Sequence, residues 1–522
     1  MRTFRLLVFL VAWLSVVAAH AATFYISSSS GSDANTSTQA QSSSTPWANA
    51  RGMSCVTGNA ASYSPQAGDS FIFKGGDTWG NSCFEWIWSW SGTSGNRIYL
   101  GVDKTWYAGG AWTRPILDAQ GSDVSGGNNR MLRFNSGYVT FDNFELTGMR
   151  WISGAPFGGS AFINAGTSQY LFIENNYLHG WTNNVSTEDV GSGIMSTSQN
   201  PSLNVGMEIR YNVFDGSDTA AVLADPNCTG ACQGSLNALW YGPIVHHNII
   251  RYVSNGYIGA AQQFNDNLIE YIRDSTSAGV HENAFENNAD PCATGLIFYN
   301  NVIRHIKAGV TVWPDPDSPG CTPSYAWNNV IYDTTAGNVW NIGTPTTGTI
   351  HIYNNTVQCG PESTPTYQCI SYTNGSDGTV ENTHLMTSNA TPIGGGPTEI
   401  TNIIHTMATA NGQGYSSGGT YGYAPPAGGS TIGAGTNLTA SCTGNLATLC
   451  QDTTFACSYD SANHLPICPA RTPQQRPSSG AWDAGAYQFV GGNHRPPVSS
   501  RPPVLSHPTV PSRPVAPSRP GL

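Results

Sequence analysis

The chain has 522 residues, with 59 glycines, 12 cysteines and 11% aromatics, yet only 10% of its residues are charged and its formal net charge is -11. So sparse and acidic a balance excludes a nucleic-acid partner, which needs a basic face to displace phosphate counterions. The low charge and the aromatic content together exclude an extended disordered chain and point to a packed, turn-rich β protein.

Residues 1–21 read as a secretory signal peptide: Arg2 and Arg5 precede the apolar run "LLVFLVAWLSVVAA", and "AHA" ends at Ala21. That run is short for a bilayer, and no later stretch approaches the roughly 20 apolar residues of a membrane helix. An exported, soluble protein is therefore expected, extracellular or periplasmic, with no membrane span. Its cysteines fall into local pairs, Cys55/Cys83, Cys228/Cys232, Cys292/Cys321, Cys359/Cys369, Cys442/Cys450 and Cys457/Cys468, as disulfides of an exported chain would. Zinc is not suggested, because clustered Cys/His spacing is missing.

Residues 22–490 form one predicted domain of short β-rich runs and turns, and 491–522, "GGNHRPPVSSRPPVLSHPTVPSRPVAPSRPGL", form a Pro-rich tail unable to build a core. Within the domain a unit of Asn followed by apolar residues recurs: "DNFEL", "NNYLHGW", "YNVFDGS", "HNIIRYV", "DNLIEYI", "NNVIRHI", "NNVIYDT", "NNTVQCG". Its asparagines are Asn143, Asn176, Asn212, Asn248, Asn267, Asn301, Asn329 and Asn355, at spacings from 19 to 36 residues. A constant strand with connections of variable length is the signature of a stacked β-solenoid. Coils one strand spacing apart, about 4.8 Å, would place these asparagines in an inward column that bonds from coil to coil.

A second strand follows each asparagine strand, usually after a Gly, as in "SGIMSTS", "GYIGAAQ", "GVHENAF", "GVTVWPD" and "GNVWNIG". A leucine-rich helical repeat is excluded by the lack of a leucine consensus and of a helical period. Together with "FYISSSSGSDANTS…STPWANA", "GDSFIFKGGDTW" and the closing "SGAWDAGAYQF", this order resembles exported bacterial right-handed parallel β-helix proteins of the pectin-lyase-like superfamily. The resemblance covers nearly all of the mature chain. It implies an all-β, right-handed parallel β-helix with an asparagine ladder, and a polysaccharide lyase, glycoside hydrolase, epimerase or non-catalytic surface protein.

In such a helix the interior is filled, so a polymer must lie on an outer face. Alignment of the second strands on their glycines sets Val280 and Val312 inward and His281, Asn283, Thr311 and Trp313 outward, with Asp225, Ile258 and Ala260 at corresponding outward places. Asp225, His281, Asn283 and Trp313 then make a sugar subsite, since an indole face stacks on a pyranose and polar groups fix its hydroxyls. Three residues after the ladder positions comes a second outward column: His179, Asp215, Arg251, Glu270, Arg304 and Tyr332. It reads either as a solvated salt ladder or, where Arg304 neighbours His305 and Lys307, as part of a site.

Lysine occurs only as Lys74, Lys104 and Lys307. β-Elimination on an acidic sugar needs a cation that neutralises the C6 carboxylate and a base that removes the C5 proton. Arg304 or Arg273 is the candidate neutraliser, Lys307 or His281 the candidate base, and His305 a substrate contact. Calcium assists many lyases of this fold, and Asp215, Asp218 and Asp225, or Asp315 and Asp317, are the carboxylates that would hold it, although Asp near Pro and Gly is also ordinary turn chemistry. The resemblance does not carry catalytic residues over by motif: the polygalacturonase set is missing apart from a partial echo in "RHIK", and so are the best-known pectate lyase signatures.

The expectation is a monomeric polysaccharide lyase acting on a uronate-containing polymer. An inverting glycoside hydrolase is the first alternative; it needs two carboxyls about 6.5 to 9.5 Å apart, for which Asp225 with Glu282 or Glu286 would serve. A non-catalytic glycan-binding or cell-surface protein is the second.

Overall fold

The computed structural model describes residues 21–122, 130–151, 160–183, 191–196, 201–218, 236–272, 283–287, 295–306, 310–314, 322–334, 337–343, 348–360, 367–418, 422–455, 457–469 and 472–489. The chain winds as a right-handed parallel β-helix with three long sheets. Sheet I runs from Thr23–Ile26 to Thr398–Ile400, sheet II from Thr78–Trp79 to Ile403–His405, and sheet III from Trp86–Trp88 to Ile393–Gly394; among the described residues they hold 13, 13 and 11 strands. Each coil passes from sheet I to II to III, and successive coils pair in parallel. Such sheets bury one face continuously, which explains the repeated Val, Ile and Phe.

The filling is ordered in columns. Phe214, Ile250, Ile269, Ile303 and Ile331 point inward from sheet II and Val245, Phe264 and Phe298 from sheet I, while Leu239, Tyr257, Phe285, Val312 and Trp340 do so from sheet III. Rings in successive coils stack, Phe264 on Phe298 at 5.5 Å and Tyr257 on Phe285 at 5.1 Å. Each such pair adds about 0.5–1.5 kcal/mol beyond the apolar area it buries.

The connection from sheet I to sheet II explains the paired asparagines. It is two residues long in successive coils, as between Phe172–Glu174 and Tyr177–His179 or Ile297–Tyr299 and Val302–Ile306. Its first residue is left-handed: Asn175, Tyr211, His247, Asp266, Asn300, Asn328 and Asn354 have φ between 51° and 59°, a region in which Asn and Asp are enriched. Its second is the ladder asparagine. The Oδ1 of Asn301 accepts from both the backbone N–H (3.1 Å) and the Nδ2 (3.2 Å) of Asn267. The same pair of bonds joins Asn176 to Asn212, Asn212 to Asn248, Asn248 to Asn267, Asn301 to Asn329 and Asn329 to Asn355. Asn143 departs from the expected column. It has φ 65° and occupies the left-handed position; Phe144 stands at the ladder place and donates only its backbone N–H to Asn176 Oδ1, at 2.9 Å. In "DNFEL" the Asn precedes the ladder place by one residue.

The ladder gives a direct prediction. Asn267→Ala removes an acceptor that satisfies two buried donors of Asn248, so unfolding in urea should show a loss of about 2–3 kcal/mol with the denaturant slope unchanged.

The last coil ends at Ile403–His405, and the chain then packs back along the outside. A helix, Met407–Gln413, capped by Thr406 Oγ1 accepting from Thr409 N, is followed by short turns and a hairpin of Ser458–Asp460 with Leu465–Ile467. On sheet II this segment covers Tyr177, Val213, Ile249, Leu268, Val302 and Val330 with Phe455, Cys457, Ala486 and Tyr487. On sheet I, Leu449 and Trp482 cover Trp327. The residue after each ladder Asn from Asn176 to Asn329 is therefore apolar although it points outward: it faces a second, external core. The left-handed residues act as pegs for the same segment. Asp266 Oδ1 accepts from Thr454 Oγ1 (2.6 Å), Asn328 Nδ2 donates to Gln451 O (3.0 Å), and Asn382 Nδ2 donates to Thr436 O (2.8 Å). Four disulfides are present as paired from the sequence, Cys55–Cys83, Cys359–Cys369, Cys442–Cys450 and Cys457–Cys468; Cys228/Cys232 and Cys292/Cys321 lie outside the described residues. Among those residues no helix is long and apolar enough to cross a membrane.

Candidate functional site

The structure distributes the sequence-derived site residues over two faces. Arg304, Asp215 and His305 belong to strands of sheet II, and Asp218 to the turn that follows Val213–Asp215. The second outward column of sheet II has the expected register, His179–Asp215–Arg251–Glu270–Arg304–Tyr332. Arg304 donates from Nε (2.9 Å) and Nη2 (2.7 Å) to Glu270 Oε2 and from Nη1 to Tyr332 Oη (3.1 Å). Its charge is thus committed to a buried carboxylate of the preceding coil. His305 stacks on Tyr271 at 4.6 Å and is hydrogen-bonded to Asp333.

Asp215 and Asp218 are likewise engaged. Tyr459 of the C-terminal hairpin donates to Asp215 Oδ2 at 2.8 Å, and Ser217 N donates to Asp215 Oδ1 at 2.9 Å. Asp218 Oδ2 lies 2.7 Å from His179 Nδ1, and Glu145 Oε1 lies 3.0 Å from His179 Nε2. Burial pulls the imidazole toward neutrality, but the hydrogen bonds and charges of Asp218 and Glu145 outweigh it and push His179 up to about 9. His179 is thus a cation at neutral pH between two carboxylates. Among the described residues, groups of three or more His, Cys, Asp or Glu able to hold a metal are absent. The donors around Asp215 and Asp218 fit an ion-pair network whose cations are His179 and Arg251; Asp225, Asp315 and Asp317, the other carboxylates expected for calcium, lie outside the described residues.

Asn283 and Trp313 belong to sheet III. Asn237, Asn255 and Asn283 form a second, shorter asparagine row: Asn255 Nδ2 donates to Asn237 Oδ1 (2.8 Å), and Asn283 N to Asn255 Oδ1 (2.9 Å). Asn283 is buried in this row and its Nδ2 donates to Glu286 Oε2 at 2.8 Å. Trp313 occupies the outward column Met195–Trp240–Ile258–Glu286–Trp313. Val312 is inward as expected, but it pairs with Phe285 instead of Glu282, and Trp313 therefore stands beside Glu286 instead of Asn283. The glycine-based alignment slips by three residues here because the connections entering sheet III have no fixed length, unlike the two-residue turn before sheet II.

The outer face of sheet III thus carries a carboxylate held by an asparagine amide, next to a half-buried indole in the following coil. Glu286 had a sequence signal only as a possible partner for hydrolysis; Trp240, in the same column, had none. Lys307, His281, Arg273 and Asp225 lie outside the described residues. In chain order the first three belong to the connections that lead from sheet II to sheet III in two adjacent coils.

No family model matches the chain, and no curated protein matches it. Among solved structures the chain is similar to GH136 lacto-N-biosidase from Eubacterium ramulus, with 11% identity and a TM-score of 0.42 over 74% of this chain and 68% of that one. It is similar to pectate lyase Pel9A, with 12% identity and a TM-score of 0.36 over 90% and 98% of the two chains. A third is the PL6 family alginate lyase AlyGC, with 14% identity and a TM-score of 0.34 over 65% of this chain and 49% of that one. The likeness is to parallel β-helix proteins, and it concerns architecture alone.

Proposed function

We propose that this chain is an exported, carbohydrate-active enzyme that cleaves a polysaccharide lying across the coils on the outer face of sheet III, and that the sugar is a uronate opened by β-elimination. The observation that carries the reading is the pairing, in one outward column of sheet III, of Glu286, itself buried, with Trp313, which is half-buried. An indole beside a polar row suits a pyranose ring, whose face is apolar and whose edge carries hydroxyls. Trp313 stacks on the sugar, Asn283 orients Glu286, and the base and the cation of elimination are drawn from His281, Lys307 and Arg273. Export is supported by the four disulfides, which persist in oxidising compartments.

Hydrolysis is the second reading, favoured by Glu286 itself, a carboxylate that a glycosidase would use as acid or base. One assay separates the two. Purified protein on a panel of uronate-containing and neutral polysaccharides should produce absorbance near about 235 nm, since elimination leaves a conjugated double bond. Trp313→Ala should raise KM about tenfold, the cost of a lost stacking contact of about 1.4 kcal/mol, with the melting temperature unchanged. New reducing ends without that absorbance, abolished in Glu286→Gln, would establish hydrolysis. Neither product on any substrate would overturn both.

A further inference from the structure

At the C-terminal end of the outer face of sheet II, three side chains distant in sequence form a hydrogen-bonded row. Ser430 Oγ lies 2.8 Å from His405 Nε2, and His405 Nδ1 lies 3.0 Å from His384 Nε2. His384 is 1% exposed and His405 7%, whereas Ser430 stands on an exposed turn. The two imidazoles are fixed by neighbouring strands in register and by the Tyr415 ring, 4.8 Å from His384 and 5.7 Å from His405. The serine is fixed as well. Its backbone N–H donates to Gln413 Oε1 at 3.0 Å, and it follows Gly429, where a Cβ would come within 2.6 Å of the Tyr415 hydroxyl.

The order is nucleophile, base, orienting group, the arrangement that activates a serine hydroxyl. Burial pushes His405 down; burial first, and then the charge His405 would carry, pushes His384 down to about 3. Both rings are therefore neutral near neutral pH. With a proton on Nδ1, His405 donates to His384 Nε2 and presents a free Nε2 lone pair to Ser430.

We propose that Ser430, His405 and His384 hydrolyse a carboxylic ester with a short acyl group, an activity separate from polysaccharide cleavage on sheet III. Ser430 Oγ bonds to the carbonyl carbon while its proton passes to His405 Nε2 and the carbonyl pair moves onto oxygen. That pair returns, the ester C–O bond breaks, and the alcohol leaves with the proton from His405. Water then attacks the acyl-serine, gives its proton to His405, and Ser430 departs with that proton as the acid is released. Water is the only co-reactant. The Gln413 amide, held beside the serine by its oxygen, is the donor for the oxyanion through Nε2, and His384 is a positioning residue that holds the His405 tautomer. The acyl group is short because the serine stands on an exposed turn.

The test uses the full chain and a fluorophosphonate probe, with p-nitrophenyl acetate as substrate. One phosphonyl adduct should map to Ser430, and p-nitrophenol release should fall at least about hundredfold in Ser430→Ala, as loss of an activated nucleophile requires. The melting temperature and any polysaccharide cleavage should stay unchanged in that variant. His405→Gln should abolish labelling. His384→Gln should move the acidic limb of the kcat/KM profile, which a purely structural histidine would leave in place. Absence of an adduct at Ser430, or full ester hydrolysis by Ser430→Ala, would overturn the proposal, whatever happens on sheet III.

Discussion

Replacing Arg476 with Ala should cost about 3–5 kcal/mol, the range for removing one partner from a buried charged network. Arg476 is 4% exposed and its guanidinium donates to Gln451 O (3.2 Å), Asp483 O (3.1 Å), Asn328 Oδ1 (3.1 Å) and Gly485 O (2.9 Å). It therefore joins three stretches of the C-terminal segment to one left-handed peg of the solenoid. Burial pushes the guanidinium down to about 10, leaving it protonated at neutral pH. Without it, the carbonyls of Gln451, Asp483 and Gly485 and the amide oxygen of Asn328 each lose a donor, and Trp482 loses the cation 5.4 Å from its ring. Unfolding in guanidinium chloride should show the loss, and limited proteolysis should cut first within residues 438–489. If the midpoint moves by less than 1 kcal/mol (roughly the worth of one ordinary hydrogen bond), the segment is held by its apolar contacts instead.

Stability should also fall on the alkaline side, by about 3 kcal/mol from His179 alone, since each tenfold gain in proton affinity on folding is worth about 1.4 kcal/mol. His179 is raised to about 9 in the folded chain from an ordinary 6.5. A raised group binds its proton more tightly when folded, so its contribution is complete below about pH 6.5 and disappears as pH rises through about 9. Asp218 acts at the other end. Burial opposes its ionisation, but the hydrogen bond and charge of His179 hold it below its usual range, so that its contribution is lost as pH falls through the acid region. Urea midpoints at pH 6 and pH 10 should differ, and His179→Gln should remove most of the difference. The hairpin should loosen in step, because the His464 ring stacks on Tyr177 at 4.1 Å and Tyr177 stacks on His179 at 4.1 Å. An unchanged alkaline slope in His179→Gln would show that other groups control it.

Both effects concern contacts invisible to a reading of strands in order. "NNVIRHIKAGVTVW" shows two asparagines and then alternating residues; that the first is left-handed and the second a ladder rung follows from a two-residue turn that recurs in each coil from Val139–Asp142 onward. The column His179 to Tyr332 was legible for the same reason. Sheet III was not, because its strands are entered through connections of unequal length, and alignment on glycines placed Glu282 opposite Val312, where Phe285 stands.

The sequence by itself determined the coil, the ladder and the sheet II columns, since these depend on local turns and on a period that repeats along the chain. Tertiary structure decided what the outward residues meet. Asp215 finds Tyr459 at a separation of 244 residues and Asn328 finds Arg476 at 148, and Glu286 gains its place beside Trp313 only when two coils are stacked in register. Local periodicity fixes which side of a strand a residue faces, but only closure of the long chain fixes its neighbour there.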